Sequence, residues 1–209
     1  MALSPLLQAI CDVVRQEYVD NAGTIRLVEN AKESTCPPVV IKKRGPALVL
    51  KLDLPFTPAC SRPDCATQIP HNDRLFPLFR KEEEGLSRIC DYILFYQPDD
   101  ERAKSVYVLL CELKSGKKSG TLKQIENGKL LAEYIVTMAV HHRLAQAPPK
   151  LEFRGIIFQG SGIREPRGAE MRTVCSYRQH DRMRDLGITF LPPLPERDIS
   201  FFCAGAFAP

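Results

Sequence analysis

Residues 106–114 read Val-Tyr-Val-Leu-Leu-Cys-Glu-Leu-Lys. The run from Val106 to Cys111 is apolar throughout, as expected of a strand buried in a sheet. It then ends on Glu112, Leu113 and Lys114, so two opposite charges fall where the strand should still be half-buried. Taking a charge out of water costs several kcal/mol unless it is paired or bound to a metal; even an uncharged polar group without a partner costs roughly 2–7 kcal/mol. The chain must therefore build a covered sheet and compensate a carboxylate at the end of its most hydrophobic strand.

The flanking segments suggest how. Apolar residues at 3, 6, 7, 10, 13, 14 and 18 predict a helix within 3–19, with Ser4-Pro5 as its start. "VVIKKRGPALVLKLDLPF" holds two β-rich runs around "KKRGP", a hairpin or a bent strand pair. Residues 55–73 show almost no periodicity and read as a long loop or insertion. "LFPLF" and "CDYILFYQ" read as short strands, and a charged loop, "PDDERAKS", leads into the strand that bears Glu112. After the turn "SGKKSGT", residues 122–146 predict a long helix ended by Pro148-Pro149. Its second half is apolar nearly all round and should pack on the sheet. "LEFRGIIFQG" and "ITFLPPL" are further strands, with a short helix expected near 179–186 between them. The expected fold is α/β, a mixed central sheet flanked by helices.

Charged residues can be placed on this frame. Residues i and i+2 of a strand share a face, so Glu112 and Lys114 point the same way and Leu113 the other. Asp91 opens the preceding strand, and in an antiparallel hairpin the start of one strand lies beside the end of the next. Asp91 should therefore neighbour Glu112. Two adjacent carboxylates repel, and a divalent cation resolves the repulsion; Mg²⁺ is commonly held by one or two carboxylates plus waters and phosphate oxygens. With a lysine two residues on, the set suits phosphodiester hydrolysis.

Asp91 followed some twenty residues later by Glu112-Leu113-Lys114 resembles the PD-(D/E)xK nuclease superfamily. Gln124, in "TLKQIENGKLLAEYI", sits where many members carry a glutamine early in the following helix. The pattern is similar to the RecB-type and Holliday-junction-resolvase-like branches, and to small stand-alone nucleases of bacterial defence and repair systems. Cys90 stands where the family often has proline. The resemblance implies a restriction-endonuclease-like core of α-β-β-β-α-β order. It makes residues 1–209 one nuclease-like domain, with a core over about 74–160, an N-terminal helix and hairpin extension over 1–73, and a basic extension over 161–209. It implies Asp91 and Glu112 as ligands of Mg²⁺ or Mn²⁺, Lys114 positioning the attacking water, and Gln124 orienting Lys114 or the substrate phosphate. For the family's additional acidic residue, Glu17 and Glu84 are both candidates.

The implied partner is nucleic acid, DNA before RNA. Lys117, Lys118 and Lys123 directly follow the catalytic strand and are the expected phosphate contacts. The net charge of +4 permits a polyanionic partner without demanding one. The N-terminus lacks the basic start of a signal peptide and no apolar stretch reaches the length of a membrane span, so a cytoplasmic protein with reduced cysteines and no membrane contact is expected. Cys90, Cys111, Cys175 and Cys203 read as small core residues. The segment "DISFFCAGAFAP" could pack on the core or meet a protein partner or second copy. Two further functions compete: a non-catalytic nuclease-fold subunit that binds nucleic acid or scaffolds a defence complex, and a zinc-stabilised interaction module built on Cys60, Cys65 and His71.

Overall fold

A computed structural model describes residues 3–20, 22–29, 36–52, 88–98, 105–115, 120–143, 145–148, 150–160, 175–192, 196–203 and 207–208. The N-terminal stripe forms α1 (Pro5–Val13), followed by a 3₁₀ turn over Gln16–Tyr18. Ser4 caps α1 by accepting a 3.4 Å hydrogen bond from Leu7 N–H, and Pro5 follows where its missing N–H costs nothing. The strands are β1 (Val19–Asp20), β2 (Thr24–Leu27), β3 (Val39–Lys42), β4 (Ala47–Lys51), β5 (Tyr92–Tyr96), β6 (Ser105–Lys114), β7 (Lys150–Gln159), β8 (Tyr177–Gln179), β9 (Leu186–Leu191), β10 (Arg197–Asp198) and β11 (Phe207–Ala208). The long helix α2 covers Thr121–Arg143 and a short helix α3 covers Ile199–Cys203.

Eight strands form one mixed sheet in the order β1-β4-β5-β6-β7-β9-β8-β11. β4, β5 and β6 are an antiparallel meander; α2 then crosses over to β7, which lies parallel to β6, and β9 lies parallel to β7. Three strands, β10-β3-β2, form a second sheet. The protein is thus α/β with a large mixed sheet. Helices α1 and α2 pack together on one face, over Ile93, Phe95, Val108, Leu110, Phe153 and Ile157. On the opposite face the cover is the small sheet and α3, which meet Leu94, Leu109, Cys111 and Phe158. Burial on both faces is why β5 and β6 read as unbroken apolar runs rather than alternating ones.

Two glycines let α2 settle close to the sheet. A Cβ on Gly128 would stand 2.5 Å from the Cys90 Sγ, and one on Gly155 of β7 would stand 2.7 Å from the Ile125 Cγ2. Gly128→Ala should therefore destabilise the protein by about 1–3 kcal/mol through overpacking, despite the roughly 1 kcal/mol that alanine gains over glycine in a helix. Removing the opposing sulfur with Cys90→Ala should recover most of that loss. Thermal unfolding of the two single variants and the double variant measures the coupling, and strictly additive effects would show that the helix does not sit this close.

Several expectations change. The two runs around "KKRGP" are not a hairpin: β3 pairs with β2 and β10, β4 pairs with β1 and β5, and the chain switches sheets at Gly45, whose φ is +93°. The strand beside β5 is β4, while "LFPLF" lies outside the described residues, as do 55–73 and the turn at 116–119. No helix forms near 179–186; β8 and β9 pair there as an antiparallel hairpin. The second half of α2 buries Ala132, Val136 and Ala139 but leaves Leu130 and Tyr134 exposed. Residues 199–203 of the C-terminal segment pack on the core. Ile199 and Phe202 are fully buried, and Tyr177 donates a 2.6 Å hydrogen bond from its hydroxyl to Phe202 O. Cys90, Cys111, Cys175 and Cys203 are all buried free thiols. Among the described residues no helix is long and apolar enough to cross a membrane.

Candidate active site

Tyr92 of β5 lies opposite Cys111 of β6. One step further along this antiparallel register, Asp91 faces Glu112. The two residues exchange hydrogen bonds through each other's strands: Asp91 N–H donates to Glu112 Oε2 at 3.1 Å, and Leu113 N–H donates to Asp91 Oδ2 at 2.7 Å. Both carboxylates lie on the face that carries Ile93 and Leu110, the face covered by α2. Lys114, two residues beyond Glu112, shares that face, and its Nζ lies 2.5 Å from Glu112 Oε1. The Glu112 side chain is 1 % exposed and that of Lys114 is 23 %, so the ammonium sits at the mouth and the carboxylate inside.

Helix α2 completes the wall. Gln124 Nε2 donates to Ile89 O at 3.1 Å, and Asn127 Nδ2 donates to Arg88 O at 2.6 Å, which holds the backbone just before Asp91 against the helix. The Gln124 side chain also lies close enough to Glu112 to favour its charged form. Burial pushes the Glu112 carboxyl up to about 7; the Lys114 charge and the hydrogen bonds from Lys114, Asp91 and Gln124 pull the other way without overcoming it. Desolvation, rather than repulsion from Asp91, is thus the dominant strain on this carboxylate. A cation at the same place would relieve it.

The structure brings together Asp91, Glu112, Lys114 and Gln124 at one end of β5 and β6, under the start of α2. Lys123 lies exposed on the first turn of α2, while Lys117 and Lys118 lie outside the described residues. So do Cys60, Cys65, His71 and Glu84. Glu17 pairs at the surface with Arg15 at 2.9 Å and takes no part in this cluster. Another acid lies just past the end of β6: Ser115 Oγ donates to the Glu29 carboxylate, and Cys36 N–H donates to Ser115 Oγ at 3.3 Å. Burial raises the Cys36 thiol, and the negative charges of Glu29 and Asp91 raise it further against a lowering backbone hydrogen bond at Lys114. Tyr92 fixes the Glu29 segment by exchanging two 3.0 Å hydrogen bonds with the Val28 backbone. No sequence signal marks Glu29. It follows a short strand of the second sheet, which covers the opposite face of β5 and β6, and it meets this end of β6 through Ser115.

Among the described residues no three His, Cys, Asp or Glu side chains gather in a metal-holding arrangement. Two carboxylates with hard oxygen donors at one strand end nevertheless suit Mg²⁺ or Mn²⁺, which take one or two protein carboxylates and complete their shell with water. No protein-family model matches this chain, and no curated protein or solved structure does either.

Proposed function

We propose that this protein is a metal-dependent nuclease of the PD-(D/E)xK type that hydrolyses phosphodiester bonds, in DNA before RNA. The observation that carries the reading is the reciprocal hydrogen bonding of Asp91 and Glu112 with Lys114 on the same face. The order α1, β4-β5-β6 meander, α2, β7 supports it, since a restriction-endonuclease-like core has the same α-β-β-β-α-β order. Asp91 and Glu112 would hold Mg²⁺ or Mn²⁺, which when bound supplies Lewis-acid stabilisation of phosphoryl charge and a more acidic water.

The chain's own residues do the rest. Water adds to phosphorus, one P–O bond to a sugar breaks, and the leaving oxygen takes a proton. Glu112 would be ionised with a cation bound, and the Lys114 ammonium, at the mouth of the site beside it, would face the attacking water and the phosphoryl oxygens. Gln124, anchored on Ile89 O, would orient Lys114 or the substrate phosphate. Glu29, beyond Ser115, adds negative charge at the rim. A stand-alone role in bacterial defence or repair belongs to the same reading.

A panel of labelled DNA and RNA, single- and double-stranded, tests the reading with Mg²⁺ and with Mn²⁺. Cleavage should stop in excess EDTA and return when Mg²⁺ is restored. Undiminished cleavage in the chelator would overturn the metal-dependent mechanism. Tight binding with no cleavage under any condition would favour the non-catalytic subunit instead.

A further inference from the structure

A cavity of about 570 Å³ opens on the α2 face between the start of that helix and the β8–β9 hairpin. Leu122, Arg178, His180, Ile188 and Phe190 line it, with Asp181. Leu122 and Phe190 are large apolar side chains left 45 % and 42 % exposed in it. His180 closes one side by pairing with Glu126 of α2 at 3.0 Å, so the acid on that wall is already matched.

The registers connect this cavity to the carboxylate site. Glu112 of β6 stands opposite Ile157 of β7, and Ile157 stands opposite Phe190 of β9. These three residues form one row across adjacent parallel strands. Strands lie about 4.8 Å apart, so Phe190 is roughly 10 Å from Glu112 along the row. Lys114 stands opposite Gln159, one row nearer the strand ends. Gln159 follows the alternation of Phe153 and Ile157 and points to the α2 face. It is 5 % exposed, and neither its Oε1 nor its Nε2 has a hydrogen-bond partner among the described residues. A buried amide without a partner is costly, and a site that binds a polar ligand is one place where the cost is retained. The N-terminus of the 23-residue α2, the positive end of its dipole, lies over this part of the sheet, with Ile125 already above Gly155.

We propose that this cavity receives an unpaired base of the nucleic-acid strand being cleaved, stacked on Phe190, while Gln159 and the start of α2 contact the phosphate between that base and the Glu112–Lys114 site. The inference rests on the nuclease reading and adds a substrate class to it: a strand with at least one unstacked nucleotide beside the scissile bond. Base stacking on an aromatic ring tolerates any base, and Arg178 supplies positive charge in the same cavity. A fully paired duplex keeps its bases stacked within the helix and cannot fill it.

The test measures binding of a labelled oligodeoxynucleotide, single-stranded or as a duplex, to the cleavage-deficient Lys114→Ala protein in Mg²⁺. Adding Phe190→Ala should lower single-strand affinity roughly tenfold, the loss of about one base–aromatic stack, and leave duplex affinity unchanged. Phe190→Trp should restore it. Gln159→Leu should also weaken single-strand binding, yet raise the thermal midpoint, because it removes an unpartnered buried amide. If the parent cleaves DNA with Mg²⁺ but Phe190→Ala and Gln159→Leu change neither affinity, the cavity is not a base site and the nuclease reading stands. An equal loss on duplex and single strand would overturn the unpaired-base assignment. If the parent cleaves no nucleic acid and the Lys114→Ala protein binds none, both readings fall together.

Discussion

Lys114→Ala should lower single-turnover cleavage by about 10²–10³-fold, the usual loss when one positioned charge or donor is removed from a transition state. The fold should survive. The Lys114 ammonium sits at the mouth of the site, and the carboxylate it leaves behind has an alternative to remaining charged: Glu112 already holds its proton up to about 7 because of burial. Without the ammonium it should hold that proton more tightly, which limits the penalty of an unpaired buried charge. Nucleic-acid affinity should fall only by about one phosphate contact's worth of salt dependence. Circular dichroism, a salt titration of binding and a single-turnover time course separate these effects. An unchanged cleavage rate would reduce Glu112 and Lys114 to a structural ion pair.

Glu112→Gln has the largest expected effect on stability, and its sign depends on pH. In the folded, metal-free protein Glu112 loses its proton near 7; in the unfolded chain a glutamate does so near 4.3. Between those values the folded state binds the extra proton, so the parent's stability falls as pH rises through the window and levels off above it. The full loss is on the order of 3 kcal/mol. The glutamine variant lacks this loss. It should match the parent near pH 4 and exceed it at pH 8, in the presence of EDTA, by about 2 kcal/mol after allowing for the lost Lys114 pair. Adding Mg²⁺ should stabilise the parent and not the variant, since only the parent keeps both carboxylates. Denaturant unfolding at several pH values measures the difference. A parent whose stability rises between pH 5 and 7 relative to the variant would mean that Glu112 is not desolvated as described.

The core of the site was legible because strand geometry leaves few choices. Alternation put Glu112 and Lys114 on one face, and the hairpin put Asp91 beside them. Gln124 was legible because a long helix had to follow and cross over the sheet. Glu29 was not: its place depends on a second sheet folding over the first, and local sequence carries no trace of that packing. The separation of β3 from β4 was hidden for a related reason. Two β-rich runs around a turn look alike whether they pair or diverge, and what separates them is the sheet switch at Gly45. The β8–β9 hairpin was masked by its polar outer face; β8 is three residues long and buries only Tyr177, too short a run to show a period. The paired carboxylates follow from alternation, whereas the cavity beside Phe190 depends on where α2 begins relative to β9.

The most direct test of the account is single-turnover cleavage by the Asp91→Asn protein beside the parent in Mg²⁺. Asparagine keeps an oxygen to accept the 2.7 Å hydrogen bond from Leu113 N–H, so the hairpin end should hold its shape while one carboxylate of the proposed metal site is lost. The parent should cleave, and the variant should bind the same nucleic acid and leave it intact. Equal cleavage by the two proteins would contradict the assignment of Asp91 and Glu112 as the metal site of a nuclease.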